Sequence, residues 1–327
     1  MPGIITHDTF GRDVYDRLHR LVGGSRDEAE AFLLGSQGPD ALFFAPLTPR
    51  LHAAFDLGSA LHRADPAPLM ASFRHAAADL PTPAARTIGR AYVLGLACHY
   101  VLDSTLHPFV YSQVHALCDA GVEGLDRSDG HEVHAVIETE LDEMVLWVRR
   151  GTTIAELSPA KDVLRGRDEM LAVASALYRA VAADLLGRDV PVDAFATSVR
   201  QWRLVARLLH SPSGLKRRGL GALESLVRRH SMLAAMSHRA RKLEASGFDN
   251  REHVPWTDPF SGEESRKGFW DLYDDALAWA LSVLPRLDAP GFSVEDARGL
   301  FGVRSFLGDF AAPVITAVEP LEGRGRP

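Results

Sequence analysis

The chain has 327 residues, of which 46% are hydrophobic and 24% charged, so it is long enough to bury a sizeable core and carries no sign of disorder or of a fibrous repeat. Its 36 lysines and arginines stand against 43 aspartates and glutamates, a net charge of −7 that argues against a nucleic-acid binder working through overall basic charge. The only cysteines, Cys98 and Cys118, provide neither a disulfide framework nor a cysteine zinc cluster.

The opening MPGIITHDTFGRDVYDRL lacks the basic stretch and long apolar run of a secretory signal, and no apolar run approaches the roughly 18–20 residues of a membrane span. A soluble, cytoplasmic protein is expected. Apolar residues then recur every three to four positions, predicting helices over 10–22, 26–35, 50–63, 67–79, 83–107, 131–150, 168–185, 192–210, 217–244 and 264–284. GSQGPD at 35–40, ADPAP at 64–68, DLPTP at 79–83 and SPSG at 211–214 punctuate them. Strand signals are nearly absent, so the expected fold is all-α. A soft boundary at 151–167 divides a histidine-rich part, about 1–150, from a C-terminal helical extension, about 151–318, within a single domain. The tail at 319–327 is expected to be disordered.

In ACHYVLDSTLHPFV at 97–110, His99, Asp103 and His107 fall at i, i+4 and i+8, within about 40° per step of one helix face. Pro108 predicts that the helix ends at His107, leaving that side chain freedom of aim. Alone, such a pair can simply hydrogen-bond on a half-exposed face. A second pair shifts the balance: His134 and Glu138 repeat the spacing in GHEVHAVIETELDEM, with His131 one turn before and Asp142 one turn after. Antiparallel helices could bring both pairs to one centre. Asp142 reads as an anchor for an imidazole or a backbone amide, or as a plain surface carboxylate, and Glu132, Glu140 and Glu143 read as a solvated face. Upstream candidates are His7, Asp40 after a Gly-Pro turn, and His62, with His52 as an alternative to His62. His19, His75, His115, His210, His230 and His238 have no evident partners.

The order of these residues resembles the zinc-dependent phospholipase C family and, more distantly, the single-strand-specific nucleases that share its all-helical trinuclear zinc fold. PGIITHDTFG, LLGSQGPDALFF and CHYVLDSTLHPFV carry the resemblance, and HVPWTDPFSGEES at 253–265 adds to it. The resemblance implies a multi-helix phospholipase C or nuclease-like bundle holding up to three zinc ions. Asp40, His62, His99 and Asp103 would take the first and His107, His134 and Glu138 the second. The third would bind His7, the bridging Asp103 and the N-terminal amine, from Met1 or from Pro2 after methionine removal. It implies a zinc-dependent phosphoric ester hydrolase that cleaves phosphodiesters by metal-activated water, with Asp40 as catalytic residue. A single-strand nuclease or nucleotide phosphatase, or a non-catalytic metal-binding protein, are the alternatives.

From Arg203 to Lys242 ten lysines and arginines face one acid, Glu224. Leu215, Leu220, Leu223, Leu226 and Val227 give a partial apolar stripe, predicting an amphipathic cationic helix. The segment reads either as a peripheral contact with an anionic membrane or phosphate-rich substrate, or as a solvated face balanced by neighbours such as DLYDDA at 271–276.

Overall fold

A computed structural model describes residues 3–47, 52–224 and 231–311; the side chains of 45–47, 52–53 and 220–223 also lie outside the description. The fold is all-α. In chain order it runs α1 (Ile4–Val22), α2 (Arg26–Gly35), a tight 3-10 stretch (Gly38–Leu47), α3 (His52–Arg63), α4 (Pro66–Ala78) and α5 (Pro83–Cys118). Then come α6 (Gly130–Arg150), α7 (Asp168–Leu186), α8 (Ala194–Leu209), α9 (Leu215–Glu224), α10 (Met232–Ala235), α11 (Phe269–Leu287) and α12 (Val294–Phe301). A two-residue antiparallel pair, β1 (Trp256–Thr257) and β2 (Glu264–Ser265), interrupts the second half. Buried side chains from Ile4 to Phe306 form one hydrophobic cluster, so the segments on either side of 151–167 share a core. None of the described helices is long and apolar enough to cross a membrane.

Local chemistry accounts for several starts. Ser25 and Glu28 close a capping box on α2, Asp65 accepts the Ala67 amide ahead of Pro66, and Thr82 accepts the Ala85 amide ahead of Pro83. The start of α1 is different. It begins at Ile4 rather than near residue 10, because the Asp142 carboxylate on α6 accepts the amides of Ile5 at 3.1 Å and Thr6 at 2.8 Å. A cap supplied from 136 residues away has no sequence signature.

The long α5 is the central element, packed against α1, α2, α4, α6, α7 and α11. It does not stop at His107. The helix continues through Pro108 to Cys118, because burial of Phe109, Val110, Val114 and Cys118 outweighs one lost backbone hydrogen bond. α2 crosses α5 at near contact of the two backbones. A Cβ on Gly95 would lie 2.0 Å from the Phe32 carbonyl oxygen, and one on Gly35 would lie 2.1 Å from that of Tyr92. Gly95→Ala is therefore expected to cost about 3 kcal/mol through forced separation of the helices, read as a lower denaturant midpoint with an unchanged slope.

The predicted helix over 217–244 breaks into α9 and α10, and 236–248 is irregular. Tertiary ties replace helical bonds there. Ser237 Oγ donates to the Leu209 carbonyl at 2.8 Å, and the amide and guanidinium of Arg239 both bind Glu143 on α6. The apolar stripe expected for this segment falls largely on Leu220, Leu223, Leu226 and Val227, which lie outside the described side chains, as does His230. The tail at 319–327 also lies outside the described residues.

Candidate metal centre

Five elements deliver the predicted ligands to one place. His7 comes from the first turns of α1, Asp40 from the 3-10 stretch, His62 from the end of α3, and His99, Asp103 and His107 from three successive turns of α5. His134 and Glu138 come from α6. All eight converge. His62 Nε2 lies 3.0 Å from Asp40 Oδ1, His7 Nε2 lies 3.0 Å from Asp103 Oδ1, and His99 Nε2 lies 3.1 Å from Asp103 Oδ2 and 3.9 Å from Asp40 Oδ1. Beside them, His134 and His107 bring their Nε2 atoms to 2.9 and 3.6 Å from Glu138 Oε1, and His107 Nδ1 stands 3.9 Å from Asp103 Oδ2. Three groups could each hold a metal ion: His7, Asp40 and His99; His62, His99 and Asp103; and His107, His134 and Glu138.

The imidazoles are aimed by backbone. The Nδ1 atoms of His62, His99 and His107 stand 2.7, 3.3 and 2.6 Å from the carbonyl oxygens of Gly58, Ser36 and Phe306. A carbonyl can only accept, so each Nδ1 carries a proton and each Nε2 faces the shared interior, where its lone pair would be free to ligate a cation once the proton it shares with the carboxylates is displaced. His107 is thus fixed from outside its own helix and not freed by a helix end. His99 Nε2 is buried and makes no hydrogen bond despite its closeness to Asp103, which fits an atom directed at a cation. Its ring stacks on that of His7 at 4.2 Å. Gly38 makes room for this ring: its φ is +54°, and a Cβ there would sit 2.3 Å from His99 Cδ2. A narrow cleft lined by Gly3, Thr6, Leu106 and Phe269 adjoins the cluster at His7, Asp103, His107 and Glu138.

Charge is balanced within the cluster. Burial alone would raise the pKa of Asp103, but the imidazoles of His99, His107 and His7 hold it well below the usual carboxylate range. His134 and His107 likewise hold Glu138 well below its usual value, and His99 and His62 lower Asp40, in each case against burial. Conversely, burial disfavours the charged form of His107, yet Asp103 and Glu138 push its pKa up to about 9; Asp103 also raises that of His7. His134 stays lowered because burial dominates.

These directions set a pH dependence for protein stripped of metal. Raised histidines contribute stability that is complete below their unfolded pKa near 6.5 and is lost as pH climbs through about 9. Lowered carboxylates contribute stability above about pH 4 that is lost on acidification. Lowered His134 opposes the first effect without cancelling two raised partners. The chelated protein is therefore expected to melt at higher temperature at pH 6 than at pH 9. Metal-loaded protein should gain stability over that span until its histidines are neutral, because protons compete with the cation. Thermal melts of both forms across this range check it, and a chelated form more stable at pH 9 contradicts it.

Some predicted residues have other roles. His131 is exposed and joins no group, while the side chain of His52 and the N-terminal amine lie outside the described residues. Asp142 is completely buried and serves both expected anchor roles at once: besides capping α1 it accepts from Thr6 Oγ1 at 2.6 Å and pairs with His238 Nε2 at 2.8 Å. His238 therefore has a partner, as does His210, which donates to the Ile154 carbonyl at 2.7 Å. Glu140 and Glu143 are not a solvated face; Glu143 is buried, and both bind Arg239. That pairing, with Arg241 alongside, means that α6 supplies the acids for 236–248, whereas Asp274 and Asp275 of the DLYDDA stretch pair with Arg149 and Lys267.

Sequence reading missed three supports of the cluster. Phe306, far from any histidine in sequence, gives its carbonyl to His107 and its amide to the His62 carbonyl. Arg304 ties this segment to Asp258 in the β1–β2 turn at 2.9 Å. Gln37 Nε2 donates to the Ile4 carbonyl at 3.1 Å, adding a second hold on the start of α1. Only the oddity of a glutamine in an apolar LLGSQGPD stretch hinted at the last.

No family model, curated protein or solved structure matches the chain.

Proposed function

We propose that the protein is a zinc-dependent phosphoric ester hydrolase, similar to phospholipases C in its chemistry, that cleaves a phosphodiester by direct attack of water. The observation that carries this reading is the convergence of eight N and O donors from α1, α3, α5, α6 and the 3-10 stretch on one buried centre. Donors that share a tetrahedral zinc at about 2.0–2.1 Å stand roughly 3.3 Å from one another. The N···O separations in the cluster, 2.9 to 3.9 Å, bracket that edge. The ligand set lacks thiolate, which suits a catalytic centre with open positions, and the order of the ligands along the chain matches the resemblance to the phospholipase C family.

Zinc bound there would lower the pKa of a coordinated water and offset the negative charge that grows on phosphate in the transition state. The chain's own residues do the rest. Asp40, kept ionised by His62 and His99, orients the attacking water and takes its proton. Asp103 stands between His7 and His99 and so links a ligand on α1 to the ligands on α5. The apolar walls contributed by Leu102, Leu106 and Phe269 exclude bulk water and strengthen every charge interaction inside. No Ser or Cys nucleophile is required; Cys98 is buried, and its thiol is pushed far up by burial.

Elemental analysis of protein never exposed to chelator, with turnover of bis(p-nitrophenyl) phosphate before chelation, after it, and after zinc is restored, tests the reading. Stoichiometric zinc and activity that follows it are expected. Zinc-free protein, or turnover indifferent to chelation, overturns it. Parallel assays on phosphatidylcholine, single-stranded DNA and mononucleotides then assign the substrate class.

A further inference from the structure

We propose that the outward face of α8, continued by the start of α9, is a docking surface for an anionic lipid bilayer. α8 buries Phe195, Val199 and Trp202 against the protein body. Its opposite stripe, at i, i+4, i+7 and i+8, consists of Arg200, Leu204, Arg207 and Leu208, all exposed. Leu204 and Leu208 are 51% and 57% exposed, and Leu215 at the head of α9 is 69% exposed. The two helices meet there, since Lys216 Nζ reaches the Arg207 carbonyl at 3.5 Å. Among the described residues, four of the five exposed leucines, Leu204, Leu208, Leu215 and Leu233, come from this one stretch of chain.

Charge selects the occupant. Over residues 199–224 six lysines and arginines face one carboxylate, although the whole chain is acidic at −7. Asp168 holds Arg200 at 2.8 Å, and Arg207, Lys216 and Arg218 are the remaining exposed cations beside the leucines. A nucleic acid would engage the cations and leave the leucines in water. A second copy of this acidic chain could answer the charge, and self-association distinguishes it. A bilayer takes both: leucines enter the boundary between headgroups and acyl chains, and the cations sit at the anionic headgroups. None of these leucines belongs to the core cluster. The inference stands apart from the hydrolase reading, because vesicle binding is measured without turnover.

The test is cosedimentation of the full chain with vesicles of phosphatidylcholine alone and of phosphatidylcholine with about 30% phosphatidylserine, at about 0.1 M salt. Binding is expected to be at least tenfold tighter to the anionic vesicles and to weaken at high salt. Leu204→Asp/Leu208→Asp should reduce it about tenfold or more, and Arg207→Gln/Lys216→Gln by about fivefold for each charge removed. Melting temperature should hold in both variants, since each altered side chain is exposed. Wild-type protein that ignores anionic vesicles overturns the proposal, as does binding unchanged in both variants. Self-association lost in these variants, with no vesicle binding by the wild type, overturns it in favour of a second copy.

Discussion

If the centre holds zinc as proposed, protein carrying Asp103→Ala is expected to bind less of it than wild type, while the group formed by His107, His134 and Glu138, which lacks Asp103, keeps its ion. Among the described residues Asp103 is the one carboxylate within 4.0 Å of three imidazoles: His7 at 3.0 Å, His99 at 3.1 Å and His107 at 3.9 Å. Its loss removes a bridging donor and leaves neighbouring histidines buried beside one another. Breaking such a buried charged network costs roughly 3–5 kcal/mol even before any cation is counted. Each occupied site in addition stabilises the fold by about 4 kcal/mol when free metal exceeds its Kd a thousandfold. Together these should lower the melting temperature by roughly 8 °C or more. Elemental analysis and a thermal melt, alongside His134→Ala as a variant that empties a different group, read the result. An Asp103→Ala protein with the wild-type metal content would remove the basis for a shared centre.

The second large effect is expected in turnover. Asp40→Asn keeps the shape and one ligating oxygen but removes the charge that His99 and His62 hold in place. If Asp40 takes the proton of the attacking water, kcat on bis(p-nitrophenyl) phosphate should fall about 10²- to 10⁴-fold, with KM changing little. Zinc content, measured on the same preparation, separates a lost base from a lost ligand. Activity within a few-fold of wild type would take the proton-accepting role away from Asp40.

Much of the architecture was legible because helices report themselves locally. The 3.6-residue period, the capping box at Ser25 and Glu28, and the paired cap and proline at Thr82 and Pro83 act over a few residues, so α2 and the start of α5 lie where the pattern puts them. The ligands were legible for a related reason. His99 with Asp103, and His134 with Glu138, occupy one face of one helix each, and four-residue spacing nearly guarantees that the members of a pair meet. Where the reading failed, a distant group had overruled a local rule. Pro108 marks an end for an isolated helix, but the apolar residues beyond it had a core to enter. The charged run near 217–244 suggests one long helix, but Glu143 and Glu140 draw Arg239 into a different path.

The sequence by itself determined the fold class, the helix faces that carry imidazole and carboxylate, and the exclusion of cysteine chemistry. These are short-range consequences of residue type and spacing, written into any ten-residue window. Only the tertiary structure decided how the centre is aimed: the Asp142 cap that starts α1 early enough to make His7 helical, and the carbonyls of Gly58, Ser36 and Phe306 that turn three imidazoles inward. Backbone carbonyls are identical in every residue. Which of them faces a histidine 63 or 199 positions away depends on the packing of whole helices, and no local pattern encodes it.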